Sequence, residues 1–156
     1  MITALDTNIL LDILIHDEVH FQRSKQLLDE YFEKGQLVIC EVVYAELASQ
    51  FSAEKDIRAF LADTGIRLLQ SGEKTLCVAG ERWKQYVKSR DKKLQCAGCG
   101  SKMTVTCPKC GQTVSSRQRI ISDFVIAAHA VVQAEGLLSR DRGFYRSYFR
   151  GLKVIG

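Results

Sequence analysis

Short apolar runs alternate with longer stretches of helical periodicity along most of the chain. The runs have the length of buried strands, and five are predicted as such: Ile2–Leu5, Leu37–Cys40, Ile66–Leu69, Leu137–Leu138 and Leu152–Ile155. Parallel neighbours in a sheet need crossover connections, and helices usually provide them. The pattern therefore predicts an α/β fold in which a parallel sheet is covered by helices on both faces.

Amphipathic periodicity predicts the helices between these runs. They are Ile9–Ile15 with Thr7 or Asn8 as N-cap, His20–Lys34, Glu41–Phe51, a helix from a Ser52 cap to Asp63, Glu73–Lys88, and Asp123–Ala134. Residues 90–118 break the alternation. A chain of 156 residues is too short for two cores of usual size, so we expect one domain over residues 1–156 with a small subdomain inserted at residues 91–118.

Hydropathy and the first residues limit where such a chain could reside. No apolar run approaches the roughly 20 residues that a membrane span needs. Residues 1–10 carry Asp6 where a secretory signal would carry basic residues. We therefore expect no membrane association and a reducing, cytoplasmic location.

The net charge of +4 is unevenly distributed. Residues 81–119 contain 10 Lys or Arg and 2 Asp or Glu, whereas the remainder carries an acidic excess. An anionic partner such as nucleic acid would bind there, although a solvated charged helix and loop explains the feature too. The candidate contacts are Arg82, Lys84, Lys88, Arg90, Lys92, Lys93, Lys102, Lys109, Arg117 and Arg119.

Acidic residues follow the strand ends and open one helix. Asp6 follows the first strand, Asp141 lies just beyond Leu137–Leu138, and Asp123 begins the apolar helix. In parallel sheets the ligand site forms beyond the carboxyl ends of the strands. Glu46 falls on the apolar arc of its helix, where an ionised side chain is costly unless it is compensated.

Each acid taken singly could be a capping or loop residue. Four acids that converge without a cation would repel one another and raise their own pKa values. Oxygen ligands suit hard divalent ions, so Mg²⁺ or Mn²⁺ is the expected counter-ion. The sequence thus predicts that Asp6, Glu46, Asp123 and Asp141 form one metal cage.

Four stretches together resemble the PIN-domain ribonucleases, and in particular the VapC-type toxins of toxin–antitoxin pairs. The first three are Leu5-Asp6-Thr7-Asn8-Ile9-Leu10-Leu11, Val42-Val43-Tyr44-Ala45-Glu46-Leu47 and Ser122-Asp123-Phe124-Val125-Ile126-Ala127-Ala128-His129-Ala130, and the fourth is Leu137-Leu138-Ser139-Arg140-Asp141-Arg142-Gly143-Phe144. Each is short, but their order and spacing extend over nearly the full length.

The resemblance implies a sheet with the first strand central. It also implies that the four acids are catalytic Mg²⁺ or Mn²⁺ ligands, supported by Asn8 and Ser139. The implied activity is hydrolysis of RNA phosphodiesters by a homodimeric endoribonuclease restrained by an antitoxin. An RNA-processing nuclease is the alternative within the family, and a non-catalytic zinc-ribbon module that binds nucleic acid is the alternative outside it.

Two CxxCG motifs lie in the inserted segment, at Cys96–Cys99 and Cys107–Cys110. Four thiolates satisfy tetrahedral Zn²⁺, and a glycine after each pair permits the left-handed turn that directs backbone N–H groups at sulfur. The pattern resembles a zinc ribbon with a structural metal. Disulfides or a redox pair are weaker alternatives in a reducing cell.

Other polar or sulfur-containing residues are predicted to serve packing. Cys40 and Cys77 lie in apolar contexts and are expected in the core. His129 shares a buried helix face with apolar neighbours and is expected to be a hydrogen-bonded core histidine. Trp83 and Tyr86 lie among basic residues, where base stacking and helix packing explain them about equally well.

Overall fold

The computed structural model describes residues 1–89, 93–95, 102–114 and 120–156. The first half of the chain forms β1 (Ile2–Leu5), α1 (Thr7–Leu14), α2 (Phe21–Lys34), β2 (Gln36–Ile39), α3 (Glu41–Ala48), α4 (Glu54–Thr64), β3 (Arg67–Leu68) and α5 (Glu73–Ser89). The second half forms β4 (Leu94–Gln95), β5 (Lys102–Met103), β6 (Val105–Thr106), β7 (Thr113–Val114), α6 (Ile121–Gln133), β8 (Gly136–Leu138), α7 (Arg142–Tyr148) and β9 (Val154–Ile155).

Five strands form one parallel sheet in the order β3-β2-β1-β8-β9. The strand β1 is central, and Ala4 is paired with Val38 on one side and Leu137 on the other. The expectation of a central first strand is therefore confirmed. The chain order switches at β1, which places a crevice beyond the carboxyl ends of β1 and β8.

Both faces of the sheet are buried. Successive residues of a strand point to opposite faces, and Ala4 and Leu5 are both almost fully buried, as are Leu137 and Leu138. Continuous burial of this kind is typical of parallel strands covered by helices on each side. The predicted α/β fold with a central parallel sheet flanked by helices is confirmed.

Helix ends explain most of the differences from the predicted bounds. The helix α3 ends at Ala48. Beyond it, the backbone N–H groups of Gln50 and Phe51 donate to carbonyl oxygens three residues back, which is the tighter pattern of a 3₁₀ turn. Ala53, and not Ser52, occupies the N-cap of α4, without a side-chain cap. Gly65 ends α4 as predicted, with a φ of +65° that favours glycine.

The short strands β4 to β7 form two antiparallel pairs, β4 with β5 and β6 with β7. They precede and follow the two CxxCG motifs in the sequence. The division into a main domain and an inserted subdomain at 91–118 stays a prediction. Among the described residues, no helix is long and apolar enough to cross a membrane.

Candidate active site

Asp6 lies at the switch point of the sheet. Its backbone N–H donates to the carbonyl oxygen of Leu138 at 3.0 Å, which ties the end of β1 to the end of β8. Asp6 also occupies the N-cap of α1, yet its side chain makes no cap hydrogen bond. The N-cap is therefore neither Thr7 nor Asn8, and the carboxylate of Asp6 is directed to other partners.

Three side chains donate to one oxygen of this carboxylate. Oδ2 of Asp6 accepts from Ser139 Oγ at 2.6 Å, from Asn8 Nδ2 at 2.7 Å and from the Tyr145 hydroxyl at 3.0 Å. Ser139 and Tyr145 are almost fully buried. Asn8 and Ser139, which the resemblance implies as supporting residues, thus contact the central acid.

Burial raises the pKa of Asp6 above its ordinary value, and the hydrogen bonds from Ser139 and Tyr145 offset only part of that rise. The charge of Asp141 raises it further. Burial also raises the pKa of the Tyr145 hydroxyl, with additional contributions from Asp6, Asp123 and Asp141. Three carboxylates therefore act electrostatically on one buried hydroxyl group.

Asp141 caps α7 and so places Tyr145 against Asp6. Oδ1 of Asp141 accepts from the backbone N–H of Phe144 at 3.3 Å, which is a side-chain N-cap. The backbone N–H of Asp141 donates to Ser139 Oγ at 3.0 Å, so the same serine binds both Asp6 and the segment that carries Asp141. Asp141 is half-buried.

Asp123 lies in the first turn of α6, where a negative charge is favoured. Oδ2 of Asp123 accepts from the backbone N–H of Ile120 at 3.2 Å. The face of α6 below it is lined by Ala127 and Ala130, both fully buried, so the helix packs closely.

Glu46 contacts Thr7, the residue that follows Asp6 in the chain. The hydroxyl Oγ1 of Thr7 donates to Oε2 of Glu46, in a contact between α1 and α3. Glu46 is half-buried, in agreement with its position on the apolar arc of α3. The compensation that an inward glutamate needs comes in part from this hydroxyl group.

The single cage of four carboxylates stays a prediction. Among the described residues, which include all four acids, no group of three or more His, Cys, Asp or Glu side chains is arranged to hold a metal ion. The reason lies in the partners of each acid, since Asp6 binds three side-chain donors, Glu46 binds Thr7, and Asp123 and Asp141 serve helix starts. The oxygens have the chemistry that Mg²⁺ prefers, without the arrangement of a formed site.

Two residues of the site escaped the sequence analysis. The sequence predicts Thr7 only as a candidate helix cap, and it does not predict α7, which carries Tyr145. Asp141 followed by apolar residues at 144, 145, 148 and 149 is the signature of a short capped helix. That pattern could have indicated α7 and the inward position of Tyr145.

Comparison with known proteins identifies the family. A PIN-domain family model matches residues 3–150. The chain belongs to the PIN-domain family. No protein of curated function matches the sequence significantly.

Three solved structures of toxin–antitoxin proteins share the fold at low sequence identity. The chain is similar to a structure of VapBC2 from Rickettsia felis bound to a promoter DNA fragment, with 16% identity, a TM-score of 0.59, and 99% of this chain and 98% of the other covered. It is similar to a toxin–antitoxin complex from Klebsiella pneumoniae, at 16% identity and TM-score 0.60, covering 99% and 96%. It is also similar to VapBC-1 from nontypeable Haemophilus influenzae, with 19% identity, a TM-score of 0.61, and 99% of this chain and 97% of the other covered.

An aromatic cluster supports the acidic edge of this PIN domain. The ring of Phe124 lies 5.2 Å from that of Phe144, 5.4 Å from Trp83 and 5.5 Å from Tyr86, measured between centroids. Tyr86 is also packed against Tyr148. Trp83 and Tyr86 are thus packing residues of the helices, and the cluster joins α5 and α6 to the helix that carries Tyr145.

An ion pair between a buried carboxylate and an exposed arginine lies on the other side of the site. Oδ1 of Asp12 lies 2.9 Å from Nη2 of Arg140, and its Oδ2 accepts from Ser24 Oγ at 2.5 Å. The Asp12 side chain is only 2% exposed, whereas that of Arg140 is 40% exposed. The backbone N–H of Arg140 also donates to Asn8 Oδ1 at 3.2 Å, which links this pair to the residues around Asp6.

Only part of the predicted basic surface falls among the described residues. Lys84, Lys88, Lys93 and Lys109 are exposed, and Arg82 is half-buried and donates to Gln85 Oε1 at 3.2 Å. The backbone of Lys102 lies in β5. Arg90, Lys92, Arg117 and Arg119 lie outside the described residues, so their role in RNA binding stays a prediction.

The second CxxCG motif adopts a tight turn between β6 and β7. The backbone N–H of Gly111 donates to the Cys107 carbonyl at 2.9 Å, and Gly111 has a φ of +70°. Backbone N–H groups of Cys110 and Lys109 lower the pKa of the Cys107 thiol. Cys96 and Cys99 lie outside the described residues, so the four-cysteine site stays a prediction.

The remaining packing predictions have mixed outcomes. Cys40 is buried, as expected. Cys77 is exposed, and its expected place in the core is wrong because α5 buries the face of Thr75, Ala79 and Tyr86. His129 is fully buried with Nε2 at 2.8 Å from the Leu69 carbonyl oxygen, as expected of a core histidine.

Proposed function

We propose that this PIN domain is a divalent-metal-dependent endoribonuclease that hydrolyses RNA phosphodiesters. The observation that carries the proposal is the place of Asp6 at the switch point of the sheet, where Ser139 binds both its carboxylate and the backbone N–H of Asp141. Ligand sites of open parallel sheets form there. Acids that are kept near one another at such an edge are suited to binding a cation.

Asp6 is the central acid of this proposal. Ser139, Asn8 and Tyr145 hold one of its oxygens by hydrogen bonds, which fixes the orientation of the carboxylate group. A nearby positive charge favours the ionised form of a buried acid. A cation beside Asp6 would thus counter the effect of burial, which raises the pKa of this carboxyl group.

Asp123, Asp141 and Glu46 complete the proposed ligand set for Mg²⁺ or Mn²⁺. A divalent ion bound there supplies Lewis-acid activation of water and charge stabilisation at the leaving oxygen. Thr7 positions Glu46, and Ser139 positions both Asp6 and the Asp141 segment. Side chains of the set would have to rearrange to bind one ion together, since the acids now bind protein donors.

Asp6→Asn tests the proposal most directly. We expect cleavage of a mixed RNA sample with Mn²⁺ to fall by about 100-fold or more, since the variant removes the charge of the central acid. We also expect that removal of Mn²⁺ by EDTA abolishes cleavage by the wild-type protein. Asp63→Asn is the matched control, because Asp63 is an exposed residue near the end of α4. It should cleave as the wild type does.

Equal cleavage by the wild-type protein and Asp6→Asn would exclude the mechanism. RNA binding that persists in EDTA, together with no cleavage in Mn²⁺, would instead favour the non-catalytic nucleic-acid-binding module. These two outcomes are separable because binding and cleavage are measured on the same samples.

We further propose that the chain is the toxin of a toxin–antitoxin pair. Support comes from the three structural neighbours, two of which are VapBC proteins and one a toxin–antitoxin complex. The test is inhibition of the RNA cleavage by the purified product of an adjoining short reading frame. Cleavage that such a product leaves unchanged would favour an RNA-processing nuclease. Homodimerisation stays a prediction, and light scattering tests it.

We infer a structural Zn²⁺ site formed by Cys96, Cys99, Cys107 and Cys110. Its support is the four-cysteine pattern together with the turn at Cys107, whose thiol has a lowered pKa beside backbone N–H groups. Thiolates are the ligands that zinc requires, and four of them close the coordination shell. Such an ion would stabilise the inserted segment and leave the acidic site unchanged.

Metal analysis of two cysteine variants tests this site. We expect about one zinc per chain in the wild-type protein, and its loss in Cys107→Ser. Cys77→Ser is the matched control, since Cys77 is an exposed cysteine outside the motifs. Far-UV helicity should remain in both variants. Retention of zinc by Cys107→Ser would contradict the proposed ligand set.

A further inference from the structure

A basic pocket lies next to the acidic site and is not used by the proposed chemistry. It is a cavity of about 250 Å³ between α1, α2 and the start of α7. Its rim carries four basic side chains, which are His20, Arg23, Arg140 and Arg142. Its remaining lining is Ile9, Ser24, Leu27 and Gly156.

The pocket has a buried floor and a charged rim. Ile9, Ser24 and Leu27 are almost fully buried, whereas Arg23 and Arg142 are exposed. A floor of this kind gives an apolar surface for a sugar or base, and arginine forks at its edge bind phosphate oxygens in pairs.

Much of the positive charge at the rim is not neutralised by the protein. Arg140 is paired with Asp12. Within the described part of the chain, neither Arg23 nor Arg142 lies at salt-bridge distance from a carboxylate. Asp17 lies near His20, but its Oδ1 accepts from the backbone N–H groups of Val19 and His20. An anionic ligand is the complement of this surface.

Chain connectivity places the pocket beside the acids. Arg140 and Arg142 flank Asp141, and Ile9 follows Asn8, which binds Asp6. The Arg140 backbone N–H binds Asn8 directly, at 3.2 Å. A nucleic-acid strand with one phosphodiester at Asp6 would therefore carry its neighbouring backbone over this pocket.

We propose that the pocket is a phosphate-binding subsite that holds the RNA backbone next to the phosphodiester at Asp6, with Arg23 and Arg142 as its contacts. This inference rests on the proposed function. Arg140 positions the segment through Asp12, and Arg23 and Arg142 supply the phosphate contacts. These two arginines lie outside the basic segment 81–119 that the sequence analysis singled out.

Binding measured without metal separates this proposal from the proposed reaction. The probe is a fluorescent single-stranded oligouridylate, and its Kd is measured in EDTA at several salt concentrations. We expect Arg23→Gln and Arg142→Gln each to weaken binding by about 5- to 20-fold, and each to reduce the slope of log K against log salt by about 0.7. Both residues are exposed, so the fold should be retained.

Arg67→Gln is the matched control, because Arg67 is an exposed arginine on β3 at the far edge of the sheet and the charge change is the same. It should leave the salt slope unchanged. Equal weakening by Arg67→Gln and the two pocket variants, or no weakening by either pocket variant, would overturn the subsite. The same variants are also tested with oligoglutamate. If the substitutions at Arg23 and Arg142 weaken oligoglutamate binding more than oligouridylate binding, the subsite is overturned in favour of an acidic protein partner.

The outcome for the catalytic proposal is read from a different variant. If Asp6→Asn cleaves RNA as the wild type does, the proposed reaction fails, while the metal-free binding of the pocket variants still reports on the subsite. If Asp6→Asn loses cleavage and the pocket variants bind normally, only the subsite fails.

Discussion

The acidic site and the cysteine-bearing insertion are held together by different kinds of contact. Around Asp6, three of the side-chain hydrogen bonds join residues that are 131 to 139 positions apart, and the donors Ser139 and Tyr145 are buried. In the insertion, the strand pairs join Leu94 with Met103 and Val105 with Val114, which are close in sequence. The described residues there are mostly exposed.

This difference teaches where each region obtains its stability. The acidic site exists only after the sheet and helices have packed, because its partners come from opposite ends of the chain. The strands β6 and β7 have two residues each, all with exposed side chains, and bury too little apolar surface to stabilise themselves. In our proposal, the stability of the insertion therefore depends on bound zinc, whereas the stability of the acidic site depends on the packed core.

The largest expected effect comes from Phe124→Ala, which removes the centre of the aromatic cluster. Phe124 is fully buried against Trp83, Tyr86 and Phe144. Truncation of such a side chain costs about 3–5 kcal/mol of unfolding free energy. Urea unfolding measures this loss, and we expect RNA cleavage to fall as α7 loses its support.

The control for Phe124→Ala is Val131→Ala on the same helix, where the side chain is 47% exposed and the expected loss is within about 0.5 kcal/mol. Zinc content should be the same in both variants under native conditions. Loss of zinc in folded Phe124→Ala would show that the insertion depends on the core, against the comparison drawn above.

A smaller effect is expected from Tyr145→Phe, which removes only the hydroxyl group that donates to Asp6. The other donors, Ser139 and Asn8, remain. Loss of one hydrogen bond to a buried acid costs about 1–2 kcal/mol. Because the carboxylate of Asp6 is then less well oriented, we also expect reduced cleavage, with zinc content unchanged.

Tyr148→Phe is the matched control for Tyr145→Phe, since Tyr148 lies one turn further along α7 and its ring is packed in the aromatic cluster. We expect a change within about 0.5 kcal/mol for it. Equal loss of cleavage in both variants would mean that the hydroxyl at position 145 has no special role.

The same contrast explains which features the sequence could predict. The strands β1, β2 and β8 are short apolar runs, and the acids next to them follow from strand ends alone. Periodicity located them because their burial repeats along the chain. The place of Asp6 directly after the first strand is the clearest result of that reasoning, whereas the central position of this strand was implied by the family resemblance.

The contacts of those acids could not be predicted in the same way. The bond from Tyr145 to Asp6 spans 139 positions, and α7 has only seven residues, too few for a clear periodic signal. Spacing alone could not decide between separate capping roles for Asp123 and Asp141 and one shared cage. Cys77 shows a further limit, because an apolar sequence context does not fix which face of α5 is buried.

The smallest expected effect is a pH dependence of the unfolding free energy that arises from a histidine in the core and not from the insertion. All three histidines lie outside residues 81–119. Burial lowers the pKa of His129 below its ordinary value of 6.5, despite the hydrogen bond to Leu69 and the charge of Glu41. The unfolded chain therefore binds a proton before the folded chain does as the pH falls.

The contribution of His129 to stability is complete above its unfolded pKa and is lost as the pH falls below about 6.5. His129→Gln keeps a donor for Leu69 and removes the titration, so its unfolding free energy should fall less between pH 7 and pH 5 than that of the wild type. Asp6, whose raised pKa acts in the opposite direction, cancels in this difference. His16→Gln, at an exposed histidine, is the control, and an identical pH dependence for His129→Gln and His16→Gln would show that burial of His129 does not shift its titration.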